Sequence, residues 1–309
     1  MVELNDLLKG MSDLHLKDYL NFNKCEEEIC AKDKSRKVFL GRTLKATSIP
    51  NYVNVVRLMH VEVGLPNPTD NWEYKLLLRG VNRLKGVPPK QKLPITVHIL
   101  QEIRNRIDTS VAFYKAFWAA CVIAFFGFLR KSTLLPRKES DTPSHCLLMC
   151  DASLSDDKKS ATIVIRHTKT IQFGQRVLRL PLHWIPGSPL CPVKALDNLL
   201  QLFPPSISQQ GIPPFSYLDN HRNIKCLTYN TFVSTLKKIL TVCGYKADDF
   251  SGHSFRRGGC TFAFKAGLSA PFVKLRGDWR SNAYERYITL DDELHERVSQ
   301  VLSLYVLSS

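Results

Sequence analysis

Residues 110–129, SVAFYKAFWAACVIAFFGFL, constrain this chain more than any other stretch. A helix over them is apolar nearly all round, so it has no face to give to water and must lie at the centre of a packed domain. Its most apolar part, Phe117 to Leu129, is too short and too interrupted to span a bilayer. The elements that bury it must therefore come from the chain around it.

Upstream, ITVHILQEIRNRI reads as a helix capped by Thr96. Downstream, HCLLMCDAS, SATIVIRHTK and RVLRLPLH carry the β-branched and leucine enrichment of strands, with a polar turn, TIQFGQ, between the last two. These three predict a small antiparallel sheet. Pro192 opens a helix in CPVKALDNLLQLF, and NTFVSTLKKILTVCGY, HSFRRGGCTFAFKAG closed by Gly267, and APFVKLRG follow as further helices. The tail, DDELHERVSQVLSLYVLSS, reads as a last amphipathic helix with Val298, Val301, Leu302 and Tyr305 on an apolar stripe.

Residues 1 to about 85 read as short helices, including one that starts at Pro50. Between them and the second half, residues 83–94, RLKGVPPKQKLP, combine four basic residues, three prolines and a glycine, which predicts an extended basic linker. We therefore expect two domains, residues 1–92 and 93–309, in a mainly α protein with a small antiparallel β-sheet.

Lys and Arg total 43 against 28 Asp and Glu, a net charge of +15, which points to a polyanion, and to nucleic acid first. Nine scattered cysteines form no CxxC pair, so neither a zinc ribbon nor a disulfide framework is expected, and a reducing compartment fits best. His145, Cys146 and Cys150 are read as strand residues rather than metal ligands. The start, MVELNDLLKG, lacks the profile of a secretory signal, and the expectation is a soluble protein with no membrane segment.

If the polyanion is also a substrate, attack on a phosphodiester without a metal requires a nucleophile, charge stabilisation for the transition state and an acid for the leaving oxygen. Arg130 in GFLRKSTL, at the end of the buried helix, and Arg256 in HSFRRGG offer two planar forks for the non-bridging oxygens. His253 lies three residues before Arg256 and shares its helix face. Lys169, in the hairpin RHTKTIQFGQR, is a candidate general acid, and Tyr287, in NAYERYITL, a candidate nucleophile once cations stabilise its phenolate. Each residue alone also has an ordinary structural explanation. Their order along the chain is what singles them out.

That order, with FFGFLRKSTL, HTKT, HSFRRGG and GDWRSNAYERYI, resembles the tyrosine recombinases from about residue 95 to the end, and most of all the Crypton and DIRS-like mobile-element enzymes. The resemblance implies a helical N-terminal core-binding domain and a catalytic domain closing as a C-shaped clamp on double-stranded DNA. It assigns Arg130, Lys169, His253 and Arg256 to the catalytic set and Tyr287 to the nucleophile. It also implies a 3′-phosphotyrosine intermediate, no metal, ATP or other cofactor, a homotetramer on DNA joined through the C-terminal helix, and a nuclear location in a eukaryote or a cytoplasmic one otherwise. The family's His or Trp before the tyrosine falls on Trp279 counting from Arg256 and on Asp278 counting back from Tyr287. Trp279 is preferred, because an indole N–H donates to phosphate and a carboxylate repels it. Thr133 stands where many members carry an acidic residue. A domesticated DNA-binding protein without recombination and a type IB topoisomerase share the charge and fold; the intact residue set counts against the first, and the chain length and terminal helix against the second.

Overall fold

A computed structural model describes residues 46–87, 91–139, 147–168, 171, 173–174, 176–204, 211–289, 296, 299–301, 303 and 304. The chain divides into two compact units, Met1–Lys90 and Gln91–Ser309.

In the first unit, α1 (Ile49–Glu62) has a proline in its opening turn, and α2 (Trp72–Lys85) is capped by Asn71, whose side chain accepts the Tyr74 N–H at 2.7 Å. Helix α2 runs through Arg83 and Lys85, so residues 83–85 of the expected linker are helical. The reason is local. Arg, Leu and Lys are good helix formers, and the break comes only where Gly86 turns extended. Residues 88–90 lie outside the described set. In the second unit, Gln91–Pro94 belongs to no helix or strand and is docked: Lys92 donates to the Asp248 carbonyl, and the Leu93 N–H to that of Asp249 at 2.7 Å.

The second unit is built around α4 (Ala112–Phe126), whose residues from Ala116 to Phe125 are all buried. Helix α3 (Val97–Asn105), capped by Thr96 at 3.2 Å, lays Ile99, Leu100 and Ile103 onto this core. Around α4 also pack α6 (Pro192–Leu200) and α8 (Gly252–Lys265), while α7 (Tyr229–Val242) adds Phe232, Leu236 and Leu240. Two glycines set how closely α8 comes. A Cβ on Gly258 would lie 1.8 Å from the Ile95 carbonyl oxygen, and one on Gly259 2.0 Å from that of Phe125.

The sheet pairs β1 (Ala152–Leu154), β2 (Ser160–Ile165) and β3 (Leu178–His183) antiparallel in that order, with Ser160 opposite His183 and Ile165 opposite Leu178. Alternate residues Ala161, Ile163 and Ile165 face the core with Leu180 and Leu182. The first expected strand is much shorter than HCLLMCDAS. Met149–Asp151 is a 3-10 turn, because the buried Asp151 carboxylate accepts the Leu148 N–H at 3.1 Å and Arg166 Nε at 2.8 Å, a local bond that competes with a ladder. Cys150 is exposed, and His145 and Cys146 lie outside the described residues. A second hairpin, β4 (Ser216–Leu218) and β5 (Ile224–Cys226), was not expected; Asp219 organises its turn by accepting the backbone N–H groups of His221 and Asn223.

Helix α8 opens with a reciprocal Ser251/Ser254 cap and closes at Gly267, where φ is +87°. After α9 (Ala270–Arg276), a smaller core joins Phe128, Cys260, Val273, Trp279 and Tyr284. Of the terminal stripe, Val301 is helical and exposed, while Val298, Leu302 and Tyr305 lie outside the described residues. Among the described residues no helix is long and apolar enough to cross a membrane.

Candidate active site

Arg130 does not end the buried helix. Helix α4 stops at Phe126, and a short α5 (Lys131–Leu134) starts after Arg130, which is itself extended. Between them the chain makes a Schellman-type close: Leu129 N–H reaches the Ala124 carbonyl at 3.1 Å, and Phe128 takes the left-handed position at φ +48°. A non-glycine residue there stores strain of about 1 kcal/mol. The benefit is placement. The turn buries the Phe128 ring, exposes its carbonyl to Arg256, and swings Arg130 to the rim of a small cleft lined also by Thr133, Thr168, Arg256, Gly277 and Asp278.

Arg256 is only 2% exposed. Its guanidinium donates to the Phe128 carbonyl and, at 2.7 Å, to the Gly277 carbonyl, and it lies 3.8 Å over the Trp279 ring. Its Nε is buried without a partner. The Tyr287 ring centre is 5.1 Å from the guanidinium and 5.2 Å from that of Trp279. Burial above all, and then the charge of Arg130, lowers the Arg256 pKa, while Tyr287 and Cys260 oppose the shift. A buried cation beside a second one is a site whose electrostatics favour an anion.

His253 sits at the start of α8, one turn before Arg256. Burial lowers its pKa, and Lys131, Arg256 and Arg130 add to the shift, all of which favour the neutral imidazole. Lys131 is itself seated 4.6 Å over the Tyr229 ring.

Tyr287 ends a 3-10 helix, Asn282–Tyr287. Tyr284, one turn earlier, is buried with its ring 6.3 Å from that of Trp279, whereas Tyr287 is half-buried. The structure thus brings Arg130, His253, Arg256, Trp279 and Tyr287 into one neighbourhood. Lys169 lies outside the described residues; Thr168, which precedes it, bridges to Ile171.

Asp278 is the alternative to Trp279 in the sequence, and Arg257 and Thr261 are not singled out there. Asp278, at φ +54° and 7% exposed, accepts the Thr168 hydroxyl at 3.0 Å and pairs with Arg176, so the carboxylate faces the hairpin. Trp279 lies instead as a platform under Arg256. Arg257 and Thr261, on α8, bond the backbone and side chains of residues 286–289. Only a spacing of four residues on one helix face hinted at the last pair. Among the described residues no group of three or more His, Cys, Asp or Glu is placed to hold a metal ion.

No protein-family model and no curated protein matches the sequence. Among solved structures the chain is similar to an arginine-to-lysine variant of the Tn1549 transposon integrase in complex with a circular intermediate DNA, at 11% identity, over 96% of this chain and 97% of that one, with a TM-score of 0.51. It is also similar to XerA recombinase (14% identity, 94% and 93% covered, TM-score 0.46). A third is XerH site-specific recombinase bound to a difH substrate in a pre-cleavage complex (14% identity, 87% and 75% covered, TM-score 0.44). At such identities a likeness speaks to fold alone, and the match to the transposon integrase across nearly the whole of both chains carries it. The chain has the tyrosine recombinase fold.

Proposed function

We propose that the protein is a site-specific DNA recombinase that cuts and rejoins double-stranded DNA through a 3′-phosphotyrosine link at Tyr287, in the service of a mobile element. The observation that carries this reading is the buried Arg256 guanidinium, fixed by two carbonyls and the Trp279 ring with Tyr287 against it and Arg130 beside it. Such a group is set before substrate arrives, which is what stabilising charge on a pentavalent phosphorus needs. The fold it shares with a transposon integrase in complex with DNA, and the net charge of +15, support the same reading.

In this mechanism Arg130 and Arg256 hold the non-bridging oxygens and lower the cost of a Tyr287 phenolate. The phenol proton passes to the neutral imidazole of His253. Tyr287 Oη bonds to phosphorus, the bond to the 5′-oxygen breaks, and Lys169 protonates that oxygen. A 5′-hydroxyl of a partner strand reverses the step with no external energy source. Pairing two duplexes requires four such sites, and we take the working form to be a homotetramer on DNA.

The test is incubation with nicked suicide duplexes carrying sequences from the flanks of the gene, followed by a denaturing gel. A covalent protein–DNA adduct that persists in Tyr284→Phe and is lost in Tyr287→Phe is the expected result. Salt-sensitive binding to those duplexes with no adduct would instead favour a DNA-binding protein without strand-transfer chemistry.

A further inference from the structure

We infer that Arg257 and Thr261 are positioning residues for the nucleophile, locking the backbone around Tyr287 to the same helix that carries His253 and Arg256; the inference rests on the strand-transfer reading above. The 3-10 helix ends at Tyr287, so its last carbonyls and the amides that follow have lost their helical partners. One hydroxyl takes up two of them. Thr261 Oγ1 donates to the Tyr287 carbonyl at 3.2 Å and accepts the Thr289 N–H at 3.0 Å. One helical turn earlier, the Arg257 guanidinium donates to the Arg286 carbonyl at 3.3 Å and to Thr289 Oγ1 at 3.0 Å. The tyrosine is therefore gripped on both sides, at 286 and at 287–289, from α8 alone.

This grip is built rather than incidental. Thr261 is 8% exposed, and the half-buried Arg257 fork is braced from a third direction by the Gln91 side-chain oxygen, to which it also donates. Burial also lowers the Arg257 pKa, with Cys260 and Tyr287 opposing the shift. Arg256 and Arg257 are adjacent in sequence yet divide the work: one faces Trp279 and the Tyr287 ring, the other the backbone that bears that ring. Helix α8 thus fixes the distance between the attacking oxygen and the cation that holds the electrophile. A near-attack geometry of this kind is sensitive to shifts of an ångström.

The experiment compares wild type, Thr261→Val, Thr261→Ser and Arg257→Gln on a suicide duplex. Single-turnover adduct formation is followed at saturating protein, and Kd is measured separately by gel shift. Thr261→Val is expected to form adduct about 10- to 100-fold more slowly with Kd within about twofold of wild type. Thr261→Ser, which keeps the hydroxyl, is expected within about threefold of wild type, and Arg257→Gln to lose rate without losing affinity. Because Arg257 is only half-buried, its variant remains informative if Thr261→Val fails to fold. A wild-type rate in both Thr261→Val and Arg257→Gln, an equal loss in Thr261→Ser and Thr261→Val, or a loss confined to Kd would overturn the inference while leaving the recombinase reading intact. No adduct from the wild-type protein would overturn both.

Discussion

Replacing Trp279 separates two roles for its indole, a hydrogen-bond donor to phosphate or a platform for Arg256. The ring is 7% exposed, 3.8 Å beneath the guanidinium, and in contact distance of the Phe128, Tyr284 and Tyr287 rings. Truncating a buried Trp to Ala costs about 3–5 kcal/mol, and loss of a desolvated cation–π contact of about 2 kcal/mol is partly contained in that figure, so about 4 kcal/mol is expected for Trp279→Ala. For a unit of this size that is a fall in Tm of about 8–16 °C. Trp279→Phe keeps an aromatic face under Arg256 and should lose only about 1–2 kcal/mol. The assay is thermal or urea unfolding of the three proteins, alongside adduct formation on a suicide duplex well below the lowest Tm. If the platform is what matters, Trp279→Phe cleaves within about tenfold of wild type and Trp279→Ala falls by a further factor of about 100. A stably folded Trp279→Phe as inactive as Trp279→Ala would refute this and return the role to the N–H. A loss below about 1 kcal/mol in Trp279→Ala would refute the packing argument itself.

Gly259→Ala places a methyl 2.0 Å from the Phe125 carbonyl oxygen and 2.7 Å from the Phe128 ring, so α8 must move. Urea unfolding should show about 1–3 kcal/mol lost, with a matching drop in adduct formation as Arg256 leaves the Phe128 carbonyl. His253 has a folded pKa below its ordinary 6.5, so the unfolded chain binds a proton that the folded one resists. Its contribution to stability is present above about pH 6.5 and is lost as pH falls through the lowered value, and His253→Gln should flatten that part of a stability–pH curve. Asp278→Asn removes the charge facing Arg176 and keeps the shape. With the arginine side chain 39% exposed and able to rehydrate, the expected loss is about 1 kcal/mol by chemical denaturation, and a loss beyond about 3 kcal/mol would show the pair to be far less screened than its exposure implies.

Much of the fold was legible because single segments announce themselves. An all-apolar stretch must be buried, and α4 is; Thr96, Pro192 and Gly267 mark helix ends by their own backbone chemistry, and all three do so here. The alternation of β2 and β3 was equally local. What escaped were features decided by partners distant in the chain or by a conformation unusual for its residue type. The turn carrying Arg130 places Phe128, rather than glycine, in the left-handed position, since its ring gains a buried site against Trp279 that local propensity does not register. Asp151 draws its segment into a turn through Arg166, and Asp278 is explained by Thr168 and Arg176, about a hundred residues away. At the site, residue types named Arg256 and Tyr287 as chemically able. The backbone role of Arg257 and Thr261 had no such signal, since an arginine beside another arginine reads equally well as one more contact to DNA.

The bonds from Arg256 to the carbonyls of Phe128 and Gly277 join two turns, each with a left-handed residue, at Phe128 and at Asp278. That guanidinium is therefore a rivet of the molecule as well as the cation proposed to hold the phosphate, and on that proposal the two duties are inherited together. A lineage that abandons strand transfer while keeping a folded DNA-binding protein has an easy exit through Tyr287→Phe, which deletes one half-buried hydroxyl. It has a costly one through Arg256. If Tyr287 is the nucleophile as proposed, relics of such proteins should keep the buried arginine long after the tyrosine has gone, so that persistence of Arg256 by itself records the fold.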